Sequence, residues 1–563
     1  MYTQKFLTQD EALKEKWQTK FSKIYGDREF KMTTSSGLPV KPFYTAGDIK
    51  EMNSEDLGVP GEYPYTRGIY PVHYQFQPWM NEQIHGYGLP EQTRERMEIL
   101  SQHGMEGYFG GAVHNIVGDL ASNAGYDPDD SRAEGWVGQG GVAIYTVEDM
   151  GRLIHDLPLD KTNFVWNIQD TSMAMLALYI VAAEKMGFPK EKLRGNTLNS
   201  LYRRWCWDCI GFPPENAFKL MVELIAYCTR EMPKWNTTTI TGYCMEEAGG
   251  TPVQETAFVM ATSIALTDKC IEAGLKPDDF LPRIGFHIGQ GNDFFENIAK
   301  LRVMRKMWAK INKERFDCKN PKAMQARMFV QTSGASLTSQ QPLNNIARAA
   351  FQTLGAILGG ANGIQTDAYD EAISIPTEEA AILALRTQQI VRHETKVPSV
   401  SDPLAGSYYM ESLTNQIESE AYKLIQEIDD LGGYIKCWTD GWLSEELRRS
   451  AYEWRERVNN GEEILVGVNK YVSSETQEVP FFSVDESIGE ISVERIKEYR
   501  KKRDNMKTQS ALADLRQAAI KIHESNGGEG LLMGALIDAF RAEATLGEAM
   551  EVIKEELGFT CEQ

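Results

Sequence analysis

The side chains best suited to chemistry are concentrated in three segments that lie far apart in the chain. They are residues 62–71 (EYPYTRGIYP), 233–243 (PKWNTTTITGY) and 331–345 (QTSGASLTSQQPLNN). Their tyrosine, threonine, glutamine and asparagine side chains can bind polar ligands through hydrogen bonds. Composition alone does not explain three such motifs, so we interpret them as functional.

Two cysteines, Cys206 and Cys209, have the spacing Cys-x-x-Cys, which occurs in redox and zinc sites. No second pair follows at zinc spacing among the eight cysteines of the chain. A cysteine outside a disulfide is most often a small buried residue. We therefore interpret this pair as buried thiols and predict no metal site.

The composition excludes several classes of protein. The formal net charge of the 563 residues is −21, whereas a nucleic-acid-binding surface needs a basic footprint. No apolar run approaches the length that crosses a bilayer, and the N-terminus has no apolar signal core. We predict a cytoplasmic globular protein with no nucleic acid and no membrane partner.

Short apolar runs alternate with helical patterns in the middle of the chain. Strands are predicted at 141–145, 164–168, 237–241, 283–287 and 326–330. Residues 293–316 predict a helix with Asp293 as its N-cap. Alternation of strands and helices indicates a parallel α/β sheet. Eight such units would form a (β/α)8 barrel, but periodicity alone does not give the number of units.

Helical patterns dominate both ends of the chain. We expect an N-terminal arm over residues 1–35, where Ala12, Trp17 and Phe21 recur at helical spacing. Residues 36–410 form the predicted barrel domain, and 411–563 a helical C-terminal region. Within that region we expect a charged, solvated helix or linker at 485–510 and a last helix pair at about 509–524 and 530–557.

The three motifs occur together with four further stretches in a fixed order. These are GQGGVAI (138–144), GNDFFENIAK (291–300), DEAISIPTEE (370–379) and DPLAGSYY (402–409). From about residue 36 to 557 the chain resembles the adenosylcobalamin-dependent acyl-CoA mutases, the methylmalonyl-CoA mutase family. The resemblance implies a (β/α)8 TIM barrel whose polar axis admits the pantetheine arm of an acyl-CoA. Thr237, Thr238, Thr239 and Thr241 fit that lining, although an ordinary threonine-rich strand would look the same.

The family's cobalamin-binding motif, Asp-x-His-x-x-Gly, is not matched by any of the eight histidines. The resemblance therefore implies a separate small subunit that binds most of the corrin of adenosylcobalamin. It also implies a heteromer, either a heterodimer or a heterotetramer.

Most family positions around the adenosyl group have matching residues here. The expected cofactor-binding residues are Gly86, Ala143, Gln331, Asn362, Asp367 and Glu371. Glu371 is expected to bind the ribose hydroxyl groups, and its alternative role is an exposed carboxylate before a helix. Asn362 and Asp367 differ from the usual family residues but can still accept hydrogen bonds.

The substrate side differs more from the family. Ile84 stands where methylmalonyl-CoA mutases have tyrosine and 2-hydroxyisobutyryl-CoA mutases have isoleucine. Trp207 or Asp208 replaces the arginine that pairs with a free carboxylate. Next to Tyr243, Cys244 replaces the histidine that binds the thioester carbonyl group, and a thiol is a weak donor. These five residues are the expected catalytic group.

The remaining substrate positions are divided between retained and altered residues. Tyr70, Asn236, Thr239 and Arg283 match positions that contact CoA, whereas Gln77 and Glu82 replace family arginines. Val117 stands where the hydroxyacyl mutases have aspartate, and Asp119 is the nearest carboxylate that could hold a substrate hydroxyl group.

The resemblance therefore predicts the large subunit of a coenzyme-B12-dependent acyl-CoA mutase. Its substrate would be a branched or hydroxylated acyl-CoA without a free carboxylate, similar to 2-hydroxyisobutyryl-CoA or 3-hydroxybutyryl-CoA, or to isobutyryl-CoA or pivalyl-CoA. Two alternatives stay open, a methylmalonyl-CoA mutase large subunit and a non-catalytic partner chain.

Overall fold

Parallel strands at the centre of the chain carry the fold. A computed structural model describes residues 2–26, 28, 31–107, 111–207, 211–474 and 479–560, without the side chains of residues 203, 204 and 207. The strands are β1 (Met80–Glu82 and Ile84–His85), β2 (Val113–Val117), β3 (Asn163–Asn167), β4 (Arg194–Thr197), β5 (Trp235–Asn236 and Thr238–Thr241), β6 (Ile284–Gln290), β7 (Arg327–Thr332) and β8 (Gly363–Gln365).

The strands pair in sequence order and return to the first strand. The first part of β1 pairs with β8 and the second part with β2. Likewise, the two parts of β5 pair with β4 and with β6. Strand β1 is interrupted at Gln83 and strand β5 at Thr237. Each of these two strands therefore pairs with one sheet before its interruption and with the other sheet after it. This parallel order is that of a (β/α)8 barrel and confirms the predicted fold class.

Helices follow the strands on the outside of the barrel. They are Pro90–Gln102, Leu120–Ala124, Val147–Ile154, Ser172–Lys185, Arg204–Trp207, Pro214–Glu231, Tyr243–Glu247, Pro252–Glu272, Pro277–Phe280, Phe294–Glu314, Asn344–Leu358 and Glu378–His393. Short 3-10 turns lie at Ala46–Ile49, Ser131–Ala133, Lys190–Lys192, Leu201–Arg203, Leu281–Arg283, Pro321–Met324, Gly334–Ser336 and Val397–Ser399. Helix Phe294–Glu314 begins as predicted, because the Asp293 side chain accepts a hydrogen bond from the Glu296 N–H.

Further elements precede and follow the barrel. Before it lie helix Gln4–Tyr25, a two-stranded hairpin (Met32–Thr33 with Pro39–Val40) and helix Ser54–Leu57. After it lie helices Tyr408–Asp430, Tyr434–Thr439, Trp442–Asn459, Ser487–Lys502, Asn505–Glu524, Leu531–Arg541 and Leu546–Leu557. No helix in the described ranges combines the length and the apolar character that a membrane crossing requires.

Three sequence-based expectations are corrected by these elements. The single helix expected at 530–557 is two helices, because Thr545 forms a new N-terminal cap with Glu548. Helix Ser487–Lys502 is not merely solvated, since Ile488, Ile496 and Tyr499 are buried.

The strand predicted at 141–145 is absent, and only Val142 makes isolated bridges, to Gly88 and Gly118. The glycines there let the backbone cross the end of β2. A Cβ atom on Gly141 would lie only 2.1 Å from the Gly118 carbonyl oxygen.

An aromatic layer packs the outer surface of the strands against the helices. The Phe164 and Trp166 rings are 5.5 Å apart, and Tyr179 contacts Trp166 and Trp235 at 5.3 and 5.8 Å. All four side chains are fully buried. Aromatic burial of this size is a large apolar contribution to stability. The hydrophobic core therefore lies around the barrel and leaves its axis to other residues.

Candidate active site

The interior of the barrel contains a cavity of about 130 Å³, lined by apolar side chains such as Met80, Leu198 and Phe329 together with many polar ones. Ordinary barrels fill this space with layers of branched apolar side chains. Here the lining includes Glu82, Thr239, His287, Arg327 and the asparagines Asn115, Asn163, Asn167, Asn196, Asn236 and Asn362. Of the four threonines expected to line it, Thr239 does so, whereas the Thr238 hydroxyl group donates to the Leu198 carbonyl oxygen. The polar character of the axis comes mainly from asparagine.

At the carboxyl end of the strands, several expected residues meet. The Tyr243 ring stacks on His287, with 5.0 Å between ring centroids and 5° between planes. His287 Nε2 lies 3.0 Å from Gln331 Oε1, and Gln331 Nε2 donates to Asp367 Oδ1 at 3.1 Å. Asp367 is buried, and its Oδ2 atom has no hydrogen-bond partner among the described residues. We call Tyr243, His287, Gln331, Asp367 and Glu371 the carboxyl-end cluster.

Acidic groups in and beside this cluster hold their protons more tightly than usual. Burial, and then the charge of Glu247, raise the pKa of Glu371 to about 7. Burial and the charge of Asp367 likewise raise the pKa of Glu247 to about 7, although Ser333 Oγ and the Ala335 N–H donate to its carboxylate. Burial and the charge of Glu371 raise the pKa of Asp367. Because like charges in one place oppose ionisation, part of the group is neutral near pH 7.

The backbone of Ile84 is connected to the carboxyl-end cluster by hydrogen bonds through Gln365. The Ile84 N–H donates to Gln365 Oε1 at 2.6 Å, and Gln365 Nε2 donates to Asp367 Oδ1 at 3.3 Å. Ile84 is paired in register with Asn115, which lines the cavity. The half-buried Ile84 side chain therefore belongs to the junction between the cavity and the cluster.

The glycine that follows this strand has a packing role. Gly86 has φ 153°, and a Cβ atom there would lie 2.4 Å from the Val117 carbonyl oxygen. Val117, at the end of β2, is half-buried. Glycine is needed here for strand contact, independently of any ligand.

Other expected residues lie at the amino end of the barrel. Asn362 precedes β8, and its Oδ1 accepts from the Met328 N–H at 2.9 Å, so the structure separates it from the other expected cofactor residues. Arg283 Nη1 donates to the Cys228 and Met232 carbonyl oxygens at 3.0 Å, which completes the end of helix Pro214–Glu231.

Tyr70 and Asn236 also lie at this end. Burial raises the pKa of Tyr70, and the neighbouring charge of Arg327 opposes that rise. Asn236 lines the cavity near the start of β5. The expected CoA contacts are thus grouped at the end opposite the carboxyl-end cluster, with the cavity between them.

Asp119 does not fit the role expected for it. It is fully buried, and its two carboxylate oxygens accept from the Ser122 N–H, the Gly138 N–H and the Tyr145 hydroxyl group at 2.5–2.8 Å. Because the carboxylate is fully buried while both oxygens hold the loop after β2, it is not accessible to a substrate hydroxyl group. We leave Asp119 out of the proposed site.

Ala143 is also buried in a supporting position. Its N–H donates to the Gly88 carbonyl oxygen at 2.9 Å, and its side chain adjoins Ser492 and Ile496 of the C-terminal helices. This packing holds the backbone of 141–145 against the barrel.

Cys244 lies outside the cavity lining. It is fully buried, and its sulfur is 3.7 Å from the sulfur of Cys206. Its thiol therefore faces the packing beside helix Arg204–Trp207 and not the axis. Asp208 and Cys209 lie outside the described residues, and the Trp207 side chain is likewise not described.

Two residues of the site were not singled out from the sequence. His287 connects Tyr243 to Gln331, and the charge of Glu247 raises the pKa of Glu371. Glu82, noted from the sequence only as a replacement of a family arginine, lines the cavity. A polar residue within a buried strand, such as His287 in β6, is the one signal that sequence reasoning could have used.

Comparisons with known proteins identify the family of this chain. The family model described as methylmalonyl-CoA mutase matches residues 33–559. The chain is 36% identical over 536 residues to the 2-hydroxyisobutanoyl-CoA mutase large subunit of Aquincola tertiaricarbonis, covering 95% of this chain and 93% of that one. The chain belongs to the methylmalonyl-CoA mutase family.

Other members of the family are similarly related. The mitochondrial methylmalonyl-CoA mutase of Homo sapiens is 35% identical over 527 residues, which is 93% of this chain and 68% of the human protein. The methylmalonyl-CoA mutase of Rhizobium meliloti (strain 1021) is 37% identical over 530 residues, with 93% and 72% covered. The family assignment made from the motifs is confirmed.

The raised pKa of Glu371 predicts how this mutase responds to pH. Between its ordinary pKa and about 7, the folded protein holds a proton that the unfolded chain has lost, so stability falls as pH rises through this range. Glutamine does not ionise, so Glu371→Gln abolishes this decrease in stability at high pH. The variant should have a Tm at least about 1 °C higher than the unmodified protein at about pH 8, and a smaller gain at about pH 5.5. The exposed Glu463→Gln serves as control and should show no such difference. A gain at pH 5.5 that equals the gain at pH 8 would contradict this account.

Proposed function

We propose that this family member is the large subunit of an adenosylcobalamin-dependent acyl-CoA mutase. It would rearrange the carbon skeleton of a branched or hydroxylated acyl-CoA that lacks a free carboxylate. The observation that carries this proposal is the axial cavity, whose lining mixes polar and apolar side chains, with the expected CoA residues at one end and the carboxyl-end cluster at the other. A long polar arm can be held along such an axis while its acyl group reaches the cluster.

The amino end has the charge that a coenzyme A phosphate requires. The exposed Lys161, Lys192, Arg194, Lys234 and Lys322 lie on or just before the starts of β3, β4, β5 and β7. Together with Arg283 and Arg327 they provide cations on a chain whose net charge is −21. Local cations of this kind attract phosphate groups whatever the total charge of the protein.

The carboxyl end fits an adenosyl group. Asp367 Oδ2, which has no hydrogen-bond partner within the described ranges, and the half-buried Glu371 carboxyl group can accept hydrogen bonds from ribose hydroxyl groups. Gln331 orients Asp367, and Tyr243 covers His287. Bound adenosylcobalamin would supply the radical that starts the rearrangement. The residues of this chain would hold the adenosyl group, orient the acyl group and exclude water.

A second polypeptide would carry most of the corrin. The chain matches 93% of a protein named as a large subunit, which supports a small cobalamin-binding partner in a heterodimer or heterotetramer. Apolar side chains are also exposed on the loops around the carboxyl end, where such a partner would dock: Leu343, Ile373, Tyr471, Val472 and Phe481. Exposed apolar groups gathered at one surface are typical of a docking site. A cytoplasmic location for the complex stays a prediction.

The decisive experiment is a substrate screen of the complex. The chain, a cobalamin-binding subunit and adenosylcobalamin are incubated with separate acyl-CoA thioesters, and isomerisation is followed by mass spectrometry. A branched or hydroxylated acyl-CoA should be converted. Methylmalonyl-CoA should react at least about 100-fold more slowly, because a buried carboxylate without its cation costs several kcal/mol. Efficient formation of succinyl-CoA would favour the methylmalonyl-CoA alternative, and failure of every thioester would favour a non-catalytic chain.

Two substitutions in this complex should impair different properties of the enzyme, namely substrate preference and turnover. Ile84→Tyr adds bulk at the junction and should change the ranking of substrates while cobalamin binding stays nearly intact. Glu371→Ala removes a ribose acceptor and should lower turnover on every accepted substrate, by about tenfold or more, without changing their ranking. Measured kcat/KM values over the same panel test both. Identical behaviour of the two variants, or a silent Glu371→Ala, would mean that the site is misplaced.

A further inference from the structure

Two thiols for which the proposed function has no use lie against each other beside the carboxyl-end cluster. Cys206 belongs to helix Arg204–Trp207 and Cys244 to helix Tyr243–Glu247. Their sulfur atoms are 3.7 Å apart, and Cα atoms of the two helices approach within 8 Å. A disulfide joins Cα atoms about 4–7 Å apart and brings the sulfur atoms to about 2.0 Å. Small side-chain movements are therefore enough to join this pair.

Hydrogen bonds fix the segment that carries the first of these thiols. The Tyr202 hydroxyl group donates to the Thr241 carbonyl oxygen at 3.2 Å and accepts from the Thr241 N–H at 2.6 Å, which ties the segment to the end of β5. The Trp205 Nε1–H donates to the Tyr434 hydroxyl oxygen at 3.0 Å, and the Trp205 carbonyl oxygen accepts from Ser444 Oγ at 2.9 Å. The contact between the sulfur atoms therefore belongs to a segment that is held on both sides.

The two thiols differ in how far a reagent in solution can reach them. Cys244 is fully buried, and its sulfur lies 3.9 Å from the Thr241 carbonyl oxygen at the end of β5. Among the cysteines that the structure describes, Cys206 alone is half-buried and the other five are buried. Because thiol reactivity requires access, a dissolved reagent meets Cys206 first. Cys244 then lies in position to react with whatever is attached to Cys206.

We propose that Cys206 and Cys244 form a redox modification site, at which a small-molecule disulfide such as glutathione disulfide converts the two thiols into a reversible protein disulfide. The Cys206 thiolate attacks one sulfur of glutathione disulfide and releases the first glutathione thiolate. The Cys244 thiolate then attacks the Cys206 sulfur, forms the bond between the two cysteines and releases the second. The two protein thiols lose two electrons and two protons, and glutathione disulfide is reduced to two glutathione thiols.

The bond would join two loops at the carboxyl end of the barrel. Helices Arg204–Trp207 and Tyr243–Glu247 follow β4 and β5, and loops in these places build the ligand sites of (β/α)8 barrels. Tyr243, which stacks on His287 in the carboxyl-end cluster, directly precedes Cys244. Oxidation would therefore restrict the backbone next to this cluster. The inference concerns a modification of the chain and does not depend on the proposed function.

The test incubates the folded full chain with glutathione disulfide at about pH 8, where thiolates form, then blocks the remaining thiols and maps tryptic peptides by mass spectrometry. Cys206 lies in peptide 205–219 and Cys244 in peptide 235–269, so their bond joins two peptides. Cys209 shares the first peptide with Cys206, so a bond between those two stays within one peptide. We expect the joined peptides from the folded chain and their separation by dithiothreitol.

Substitutions separate the roles of the two thiols. The Cys209→Ser chain serves as parent, because it lacks the Cys-x-x-Cys alternative, and should still give the joined peptides. In this parent, Cys244→Ser should stop at a mixed disulfide between Cys206 and glutathione, and Cys206→Ser should give neither product. The buried Cys228→Ser is the matched control and should keep the joined peptides. Circular dichroism checks that each variant is folded, and Cys244→Ala replaces Cys244→Ser if the latter is not.

Each outcome decides the inference. Joined peptides in the unmodified and parent chains, together with a mixed disulfide in Cys244→Ser, support it. A bond within peptide 205–219 of the unmodified chain, or a parent chain that gives no joined peptides, would overturn it. Glutathione attached to Cys244 in the Cys206→Ser variant would contradict the order of the two steps. None of these readouts uses acyl-CoA conversion, so the proposed function is tested separately.

Discussion

A barrel axis that keeps an open cavity with buried polar groups is the constraint on which the rest of this structure depends. Glu82, Asn115 and Asn196 each retain a side-chain oxygen without a hydrogen-bond partner among the described residues, and each such atom costs free energy. Stability must therefore come from elsewhere. The aromatic layer of Phe164, Trp166, Tyr179 and Trp235 provides part of it outside the strands. Packing outside the strands thus stabilises the barrel, while the centre of the barrel stays open.

That separation gives the two ends of the barrel different chemistry. At the amino end Arg283 and Arg327 lie near the strand starts, and the Arg283 guanidinium also fixes the end of a helix. At the carboxyl end, Asp367, Glu371 and Glu247 lie close together, and burial with their mutual repulsion raises the pKa of all three, to about 7 for Glu371 and Glu247. The buried Arg302 joins the barrel to the C-terminal helices by pairing with Asp402 and Glu411. An ion pair of this kind fixes geometry more than it adds stability.

The sequence predicted the parts of the fold that have a clear apolar pattern. Strands β3, β5, β6 and β7 and helix Phe294–Glu314 were found this way, because their buried positions are apolar or β-branched. Strands β1, β2, β4 and β8 were missed, since polar cavity residues such as Glu82 and Asn196 disrupt the alternation. In the site, motif resemblance identified Gln331, Asp367, Glu371 and Tyr243, which do meet or lie adjacent. It could not tell that the Asp119 carboxylate is bound by two backbone N–H groups and the Tyr145 hydroxyl group, or that Cys244 faces away from the axis, because side-chain direction depends on packing.

The most direct measurement of the central claim is a crystal structure of the chain, with the proposed cobalamin-binding partner, bound to coenzyme A. The account predicts that the pantetheine arm lies along the axial cavity, with the nucleotide beside Tyr70 and Arg327 at the amino end. The thiol end should point toward Gln331 and Tyr243. Coenzyme A bound outside the barrel, or inside it in the reverse direction, would contradict the account.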